Sequence, residues 1–254
     1  MSSEKPLYDV VIVGAGPGGY VAAIRAAQLG GKVAIVEREE VGGTCLNKGC
    51  IPTKVLLRVA ELRNAISKAD RLGLNVSNVT LDTSRVMAKK NEVVKTLTRG
   101  VRFLLSKNRV ELFKGEAKVV APLEVEVKRS DGAVSILRGR NIIIATGSRV
   151  AELPVERSQL ALSTDGILEI SSFPKDIVII GGGASGVEFA SIFKAFNANV
   201  AVIEILSNLL PLEDEDIGTY LRKTFTAQGI KVLTSSKVTR ITESPGARRT
   251  VHVE

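Results

Sequence analysis

Cys45 and Cys50 are the only cysteines in the 254-residue sequence, and they share the block Gly42-Gly43-Thr44-Cys45-Leu46-Asn47-Lys48-Gly49-Cys50-Ile51-Pro52-Thr53-Lys54. Two neighbouring thiols can store an electron pair, releasing it when they close to a disulfide. Their spacing is not the Cys-x-x-Cys of thioredoxin-type motifs. In a regular helix their Cα atoms would stand about 7.5 Å apart along the axis, whereas a disulfide needs them within about 7 Å. A bonded pair therefore requires the backbone to leave helical geometry, which Gly42, Gly43 and Gly49 permit. The alternative is two unreactive apolar cysteines that happen to be neighbours.

What precedes the block favours chemistry. Val11-Ile12-Val13-Gly14-Ala15-Gly16-Pro17-Gly18-Gly19 is an apolar strand entering Gly-x-Gly-x-x-Gly. An Ala-rich helix is predicted from about Tyr20 to Leu29, and Val33 to Glu37 forms a second strand ending in an acid. The pattern recurs as Val178-Ile179-Ile180-Gly181-Gly182-Gly183-Ala184-Ser185-Gly186, followed by Val200-Ala201-Val202-Ile203-Glu204. One constant offset carries Gly14, Gly19 and Glu37 onto Gly181, Gly186 and Glu204. A single such motif is weak evidence; two in strand–turn–helix–strand context, each with an acid at matched spacing, are strong. In each, the first glycine makes the turn, the second admits a pyrophosphate and the third packs helix on strand. The helix N-terminus offers N–H groups to the phosphates, and Glu37 or Glu204 would accept from a ribose diol. A carboxylate there repels a 2′-phosphate, and no Arg follows in Ile205-Leu206-Ser207-Asn208, so the second motif reads as NAD rather than NADP. The expected fold class is α/β: two Rossmann-like dinucleotide-binding domains of parallel sheet and helices, 1–150 and 151–254, the second with an incomplete sheet and an unpaired strand edge.

Between the motifs, Val86, Val93, Val94, Leu97, Val101, Leu104 and Leu105 fall on one helical face, a packing surface to which no chemistry is assigned. Strands are predicted at Val110–Phe113, Glu124–Lys128, Val134–Arg138 and Asn141–Ala145. The last runs into Thr146-Gly147-Ser148, and Arg149 to Pro154 reads as a linker. The hydrophobic fraction of 44% suits a globular protein, and the apolar runs are too short to span a membrane. The first residues lack the apolar stretch of a signal peptide, giving an expectation of the cytoplasm. A net charge of +8 could serve nucleic acid, but Lys and Arg are scattered and aromatics make up only 4%, so no nucleic-acid partner is expected. Two thiols and the distant His252 do not make a zinc site.

With the repeat and the thiol block together, the chain resembles the pyridine nucleotide–disulfide oxidoreductases, most of all the dihydrolipoamide dehydrogenases. The resemblance runs along essentially the whole sequence, and Gly-Gly-Thr-Cys-Leu-Asn-x-Gly-Cys-Ile-Pro-Thr-Lys is highly specific to that group. It implies a flavoprotein that oxidises dihydrolipoamide and passes hydride from FAD to NAD. Gly14, Gly16, Gly19 and Glu37 would hold the ADP half of FAD. Gly43, Thr44 and Lys54 would lie along its pyrophosphate and flavin, with the Ala117 backbone, Thr146 and Gly147 also touching it. Gly181, Gly183, Gly186 and Glu204 would hold NAD, and Val238 matches a position lining that site. By the same resemblance Cys45 and Cys50 form the redox disulfide, Cys45 exchanging with substrate and Cys50 facing the flavin, while Lys54 pairs with Glu188 beside it. The implied partner is the lipoyl domain of a 2-oxo acid dehydrogenase or glycine cleavage complex, and the full-length relatives are homodimers.

The sequence also departs from the family. The remainder of the nicotinamide domain, a central domain and an interface domain carrying a His-Glu acid–base pair have no counterpart here, which gives an expectation of a partial chain. His252, in Thr250-Val251-His252-Val253-Glu254, matches no part of that pair. Ala184-Ser185 stands where relatives often carry a bulky residue between flavin and nicotinamide. Mercuric and other disulfide reductases share the thiol block, and a non-catalytic FAD- and NAD-binding fragment is the alternative of another class. Glu204 argues against the NADPH-preferring glutathione reductases.

Overall fold

The computed structural model describes residues 7–244 and 248–254. Strand β1 (Leu7–Val13), helix α1 (Pro17–Gln28) and strand β2 (Val33–Glu37) come first. Helix α2 (Gly43–Lys48) carries the first thiol, helix α3 (Cys50–Ile66) starts on the second, and helix α4 (Thr83–Lys107) follows. Next are strands β3 (Glu111–Lys114), β4 (Glu116–Ala121), β5 (Glu124–Lys128) and β6 (Val134–Ile144). The remainder comprises α5 (Thr164–Ile167), β7 (Asp176–Ile180), α6 (Ala184–Ala195), β8 (Asn199–Ile203), α7 (Glu215–Ala227), β9 (Lys231–Leu233), β10 (Val238–Ser244) and β11 (Arg248–Val253).

The chain divides into two compact units: the described residues up to Pro52 with Asn91–Arg149, and Thr53–Lys90 with Val150–Glu254. The first unit ends at Arg149, and residues 53–90 pack with the second unit. Their apolar side chains explain why: Leu56 and Ala60 of α3 and Met87 of α4 belong to the same core as Phe189, Phe193, Phe196 and Phe225.

The first unit is a six-stranded sheet in the order β3-β2-β1-β6-β5-β4. Strands β3, β2, β1 and β6 run parallel, and β5 and β4 are added antiparallel. Val11 and Ile12 of β1 are fully buried, as expected of a parallel strand covered on both faces. One face packs under Ala23 of α1 and Val101 and Leu105 of α4, the other against Tyr8, Val125, Val127 and Leu137.

Two strand expectations change. Val134–Arg138 and Asn141–Ala145 are one strand, β6, because its first half pairs antiparallel with β5 and its second half parallel with β1. Gly139 makes the handover without a break: a Cβ there would stand 2.9 Å from Val11 Cγ2. Strand β4 was not expected, since Glu-Ala-Lys-Val-Val-Ala lacks period-two alternation; pairing with β5 alone holds it extended. The predicted helical stripe is α4, but only Val101 and Leu105 of it are fully packed, while Leu97 and Leu104 stay exposed.

The second unit holds a parallel sheet in the order β7-β8-β9 and the hairpin β10–β11. Among the described residues β7 and β9 are the two edge strands of this sheet. No described helix is long and apolar enough to cross a membrane.

Candidate dinucleotide and thiol sites

In the first unit, strands β1, β2 and β6 end together at Val13, Glu37 and Ile144, at the carboxyl edge where open α/β sheets bind ligands. Gly14 turns the chain with φ +99°, and a Cβ on it would lie 2.3 Å from Ala145 O and 3.2 Å from Thr146 Cα. Thr146 and Gly147, both exposed, are thereby held beside the turn. A Cβ on Gly19 would fall 1.8 Å from Gly14 O, so α1 can only pack here without one.

Gly16 differs. Its φ of −74° and ψ of −174° suit any residue, and a Cβ would meet only Gly43 Cα, at an ordinary 3.6 Å. Neither strain nor crowding within the chain requires a glycine at Gly16. Its bare backbone serves an approach from outside, and α1 has no acidic residue in its first turn to compete with an anion. The same holds for Gly183 in the second unit, with φ −73°, ψ −176° and nothing within 4 Å of its Cβ position. Both loops thus fit a dinucleotide pyrophosphate.

The two acids do more than the sequence suggested. Glu37 Oε2 accepts from Ala15 N–H at 2.8 Å and Oε1 from Glu39 N–H at 2.8 Å. Glu204 repeats this, Oε2 accepting from Gly182 N–H at 2.6 Å and Oε1 from Leu206 N–H at 2.8 Å. Each carboxylate ties its strand to its glycine loop while keeping lone pairs for further donors. Glu37 is half-buried, whereas Glu204 is only 6% exposed.

The thiol block grows directly out of the first loop. Gly42 N–H donates to Ala15 O at 2.8 Å, and Gly42 and Gly43 take φ of +101° and +61°, conformations that exclude most side chains. A Cβ on Gly43 would stand 2.6 Å from Gly16 Cα, so α2 begins in contact with the phosphate loop. Thr44 is exposed and Cys45 half-buried on α2; Gly49, with φ −141° and ψ −109°, interrupts the helix, and the exposed Cys50 opens α3. The backbone leaves helical geometry at Gly49, between the two thiols. Gly115 N–H, two residues before Ala117, donates to Glu37 O at 2.9 Å, fixing the start of β4 to the end of β2.

Two scaffold residues escaped the sequence reading. Asn47 Nδ2 donates to Val41 O at 3.1 Å and Gly43 O at 3.0 Å, and the buried Thr98 of α4 donates to Asn47 Oδ1 at 3.2 Å. The available signal was a hydroxyl on the buried face of α4, between Val94 and Val101. Lys48 donates to Glu39 Oε2 at 2.9 Å, and this bond with its charge holds the Glu39 carboxyl below the usual carboxylate range.

In the second unit Gly181 turns with φ +105°, and a Cβ on Gly186 would lie 2.0 Å from Gly181 O. Leu210 N–H donates to Gly182 O at 2.9 Å, and Ser236 N–H to Glu204 O at 3.0 Å. Two residues beyond Ser236, Val238 is buried at the start of β10 and pairs with Val253. Lys54 and Glu188, far apart in sequence, meet at 2.5 Å, with Lys54 more exposed than Glu188. His252 Nε2 shares a hydrogen bond with Thr242 Oγ1 at 2.9 Å across the hairpin. It serves strand pairing.

Comparison with known proteins agrees with this arrangement. The family profile of the pyridine nucleotide-disulphide oxidoreductases matches residues 8–254. A dihydrolipoyl dehydrogenase of Acholeplasma laidlawii is 42% identical over 248 residues, covering 95% of this chain and 71% of that protein. Those of Zymomonas mobilis and Bacillus subtilis are each 41% identical, covering 92% and 91% of this chain and 51% of theirs. The chain thus spans about half the length of most such relatives. Among solved structures, the Cu(II) complex of the HOCl-induced flavoprotein disulfide reductase RclA of Escherichia coli superposes with a TM-score of 0.83 at 30% identity, covering 98% of this chain and 54% of that one. On the paired glycine loops, the matched acids and the thiols set against the first loop, the chain belongs to the pyridine nucleotide–disulphide oxidoreductases.

Proposed function

We propose that this chain is the FAD- and NAD-binding part of a dihydrolipoyl dehydrogenase, acting in the cytoplasm on the lipoyl domain of a 2-oxo acid dehydrogenase or glycine cleavage complex, and homodimeric at full length. The observation that carries this reading is the contact of Gly43 on Gly16, which starts the thiol-bearing helix on the first phosphate loop. The relatives named dihydrolipoyl dehydrogenase support the substrate.

In the proposed reaction a thiolate of dihydrolipoamide attacks Cys45 Sγ in the Cys45–Cys50 disulfide. The bond between the two cysteines breaks, a mixed disulfide forms on Cys45, and Cys50 leaves as thiolate. The second substrate thiolate then attacks its own partner sulfur, closing the lipoyl disulfide and releasing Cys45, so two electrons rest on the cysteine pair. FAD, when bound, supplies the two-electron step that passes them as hydride to NAD⁺. Gly14, Gly16, Gly19, Glu37, Gly43, Thr44, Ala117, Thr146 and Gly147 would hold FAD. Gly181, Gly183, Gly186, Glu204 and Val238 would hold NAD. Lys54 and Glu188 would keep each other's charge compensated near the flavin.

The test is an anaerobic absorbance spectrum of the FAD-loaded chain before and after NADH. Reduction with a long-wavelength charge-transfer band is expected; Cys50→Ser should lose that band, and Cys45→Ser should bind flavin but form no mixed disulfide with dihydrolipoamide. A chain that takes up no FAD would overturn the reading.

A further inference from the structure

Helices α3 and α6 of the second unit are joined at two polar points with an apolar stretch between them. At one point Lys54 Nζ donates to Glu188 Oε1 at 2.5 Å. At the other, the half-buried Arg63 donates through Nη1 to Ala195 O and to Asn197 Oδ1, the latter at 3.0 Å. Between them Leu56 and Ala60 of α3 share a core with Phe189, Ile192 and Phe193 of α6. The pairings advance in the same direction along both helices. From Lys54 to Arg63 is about 13 Å of helix, and from Glu188 to Ala195 about 10 Å, a difference that a long arginine side chain spans.

Ala195 is the last residue of α6, so its carbonyl lies among those that no helical N–H can satisfy. An arginine there meets both the open carbonyl and the negative end of the helix dipole. Asn197, with φ +65°, turns the chain immediately after the helix and presents its side-chain oxygen to the same guanidinium. Arg63 therefore holds the end of α6 through two bonds from one nitrogen, Nη1. The Lys54–Glu188 contact lies on the exposed side of the unit and by itself fixes little, because an exposed pair gains little and loses side-chain entropy. The close-packed apolar layer sets the spacing of the two helices, and hydrogen bonds to a particular carbonyl and a particular amide oxygen add direction to it. A second directional constraint on α3 against α6 comes from Arg63.

We infer that Arg63 is a positioning residue: it sets the register of α3 on α6 and so holds Lys54 against Glu188. The functional consequence rests on the reading above, in which this pair stands beside the flavin; the structural claim does not. Removing these two bonds should let α3 shift and separate the pair, although neither Lys54 nor Glu188 is touched.

The experiment is NMR of the labelled lysine Nζ groups in the 254-residue chain, with the Lys54 signal assigned by its absence in Lys54→Arg. Glu188→Gln supplies the reference position for an unpaired Lys54. Arg63→Ala is expected to move the Lys54 signal more than halfway to that reference, while Arg63→Lys, which keeps a donor for Ala195 O, stays near wild type. A folded Arg63→Ala with Lys54 at its wild-type position overturns the inference. Should Arg63→Ala fail to fold, Asn197→Gly decides: it removes one acceptor yet tolerates the left-handed φ, and a partial shift supports the inference while none overturns it. The readout needs no flavin, so failure to bind FAD would sink the functional reading and leave this result standing.

Discussion

The two glycine-loop repeats share the same turn, packing glycine and acid-to-loop bonds and differ in what returns onto them. In each, a parallel strand ends in a glycine of positive φ, a third glycine packs helix on turn, and a carboxylate at the end of the neighbouring strand accepts from the loop. Even the returning chain makes the same bond, Gly42 N–H to Ala15 O in one and Leu210 N–H to Gly182 O in the other. There the likeness ends. In the first repeat the returning segment brings Gly43 onto Gly16 and opens the thiol helix. In the second, fully buried Leu209 lies against Gly182, its Cδ2 only 2.6 Å from where a Cβ there would be, and nothing stands within 4 Å of the Cβ position of Gly183, the counterpart of Gly16. The acid is correspondingly half-open in the first and sealed in the second. The loop geometry is thus local and repeatable, while the two thiols come with the segment that folds back onto the first loop.

That comparison can be broken at the frame itself. Gly19→Ala and Gly186→Ala each force a Cβ into a carbonyl oxygen and should each cost about 3 kcal/mol, read as matched losses in denaturant midpoint. A repeat that tolerates the change does not use the frame described. A smaller effect sharpens the contrast between the acids. Glu204→Gln, buried and bonded to two N–H groups, should destabilise by about 2 kcal/mol, and the half-buried Glu37→Gln by about 1 kcal/mol. Equal losses in thermal unfolding would mean that burial does not distinguish them. The smallest change in stability is expected for Gly16→Ala and Gly183→Ala, within about 0.5 kcal/mol, because neither Cβ meets an obstacle. Titration should nonetheless show flavin affinity falling at least tenfold in the first and NADH affinity in the second. Unchanged affinity would remove the argument that these glycines are bare for a ligand.

Much of this was legible beforehand because it is local. A strand ending in Gly-x-Gly-x-x-Gly has few backbone solutions, so the repeats, their acids and the break in helix between Cys45 and Cys50 could be read from residue types and spacing. The Lys54–Glu188 contact came from resemblance, since no local rule joins residues so far apart. Strand β4 and the continuity of β6 were hidden because both depend on the neighbouring strand: β6 changes partner and sense midway, which no one-strand pattern records. Thr98, Asn47 and Arg63 carry ordinary polar side chains whose roles arise only where distant backbone comes within reach.

The sequence by itself determined the two glycine loops, their paired acids and the thiol block, because turn sterics and strand periodicity act over a few residues. Only the tertiary structure decided that residues 53–90 pack with the second unit, that Glu204 is sealed while Glu37 is half-open, and that Arg63 reaches the end of α6. Those outcomes depend on which apolar surfaces find each other across the chain, and burial of Leu56, Ala60 and Met87 among the phenylalanines of α6 is a choice no short window of sequence contains.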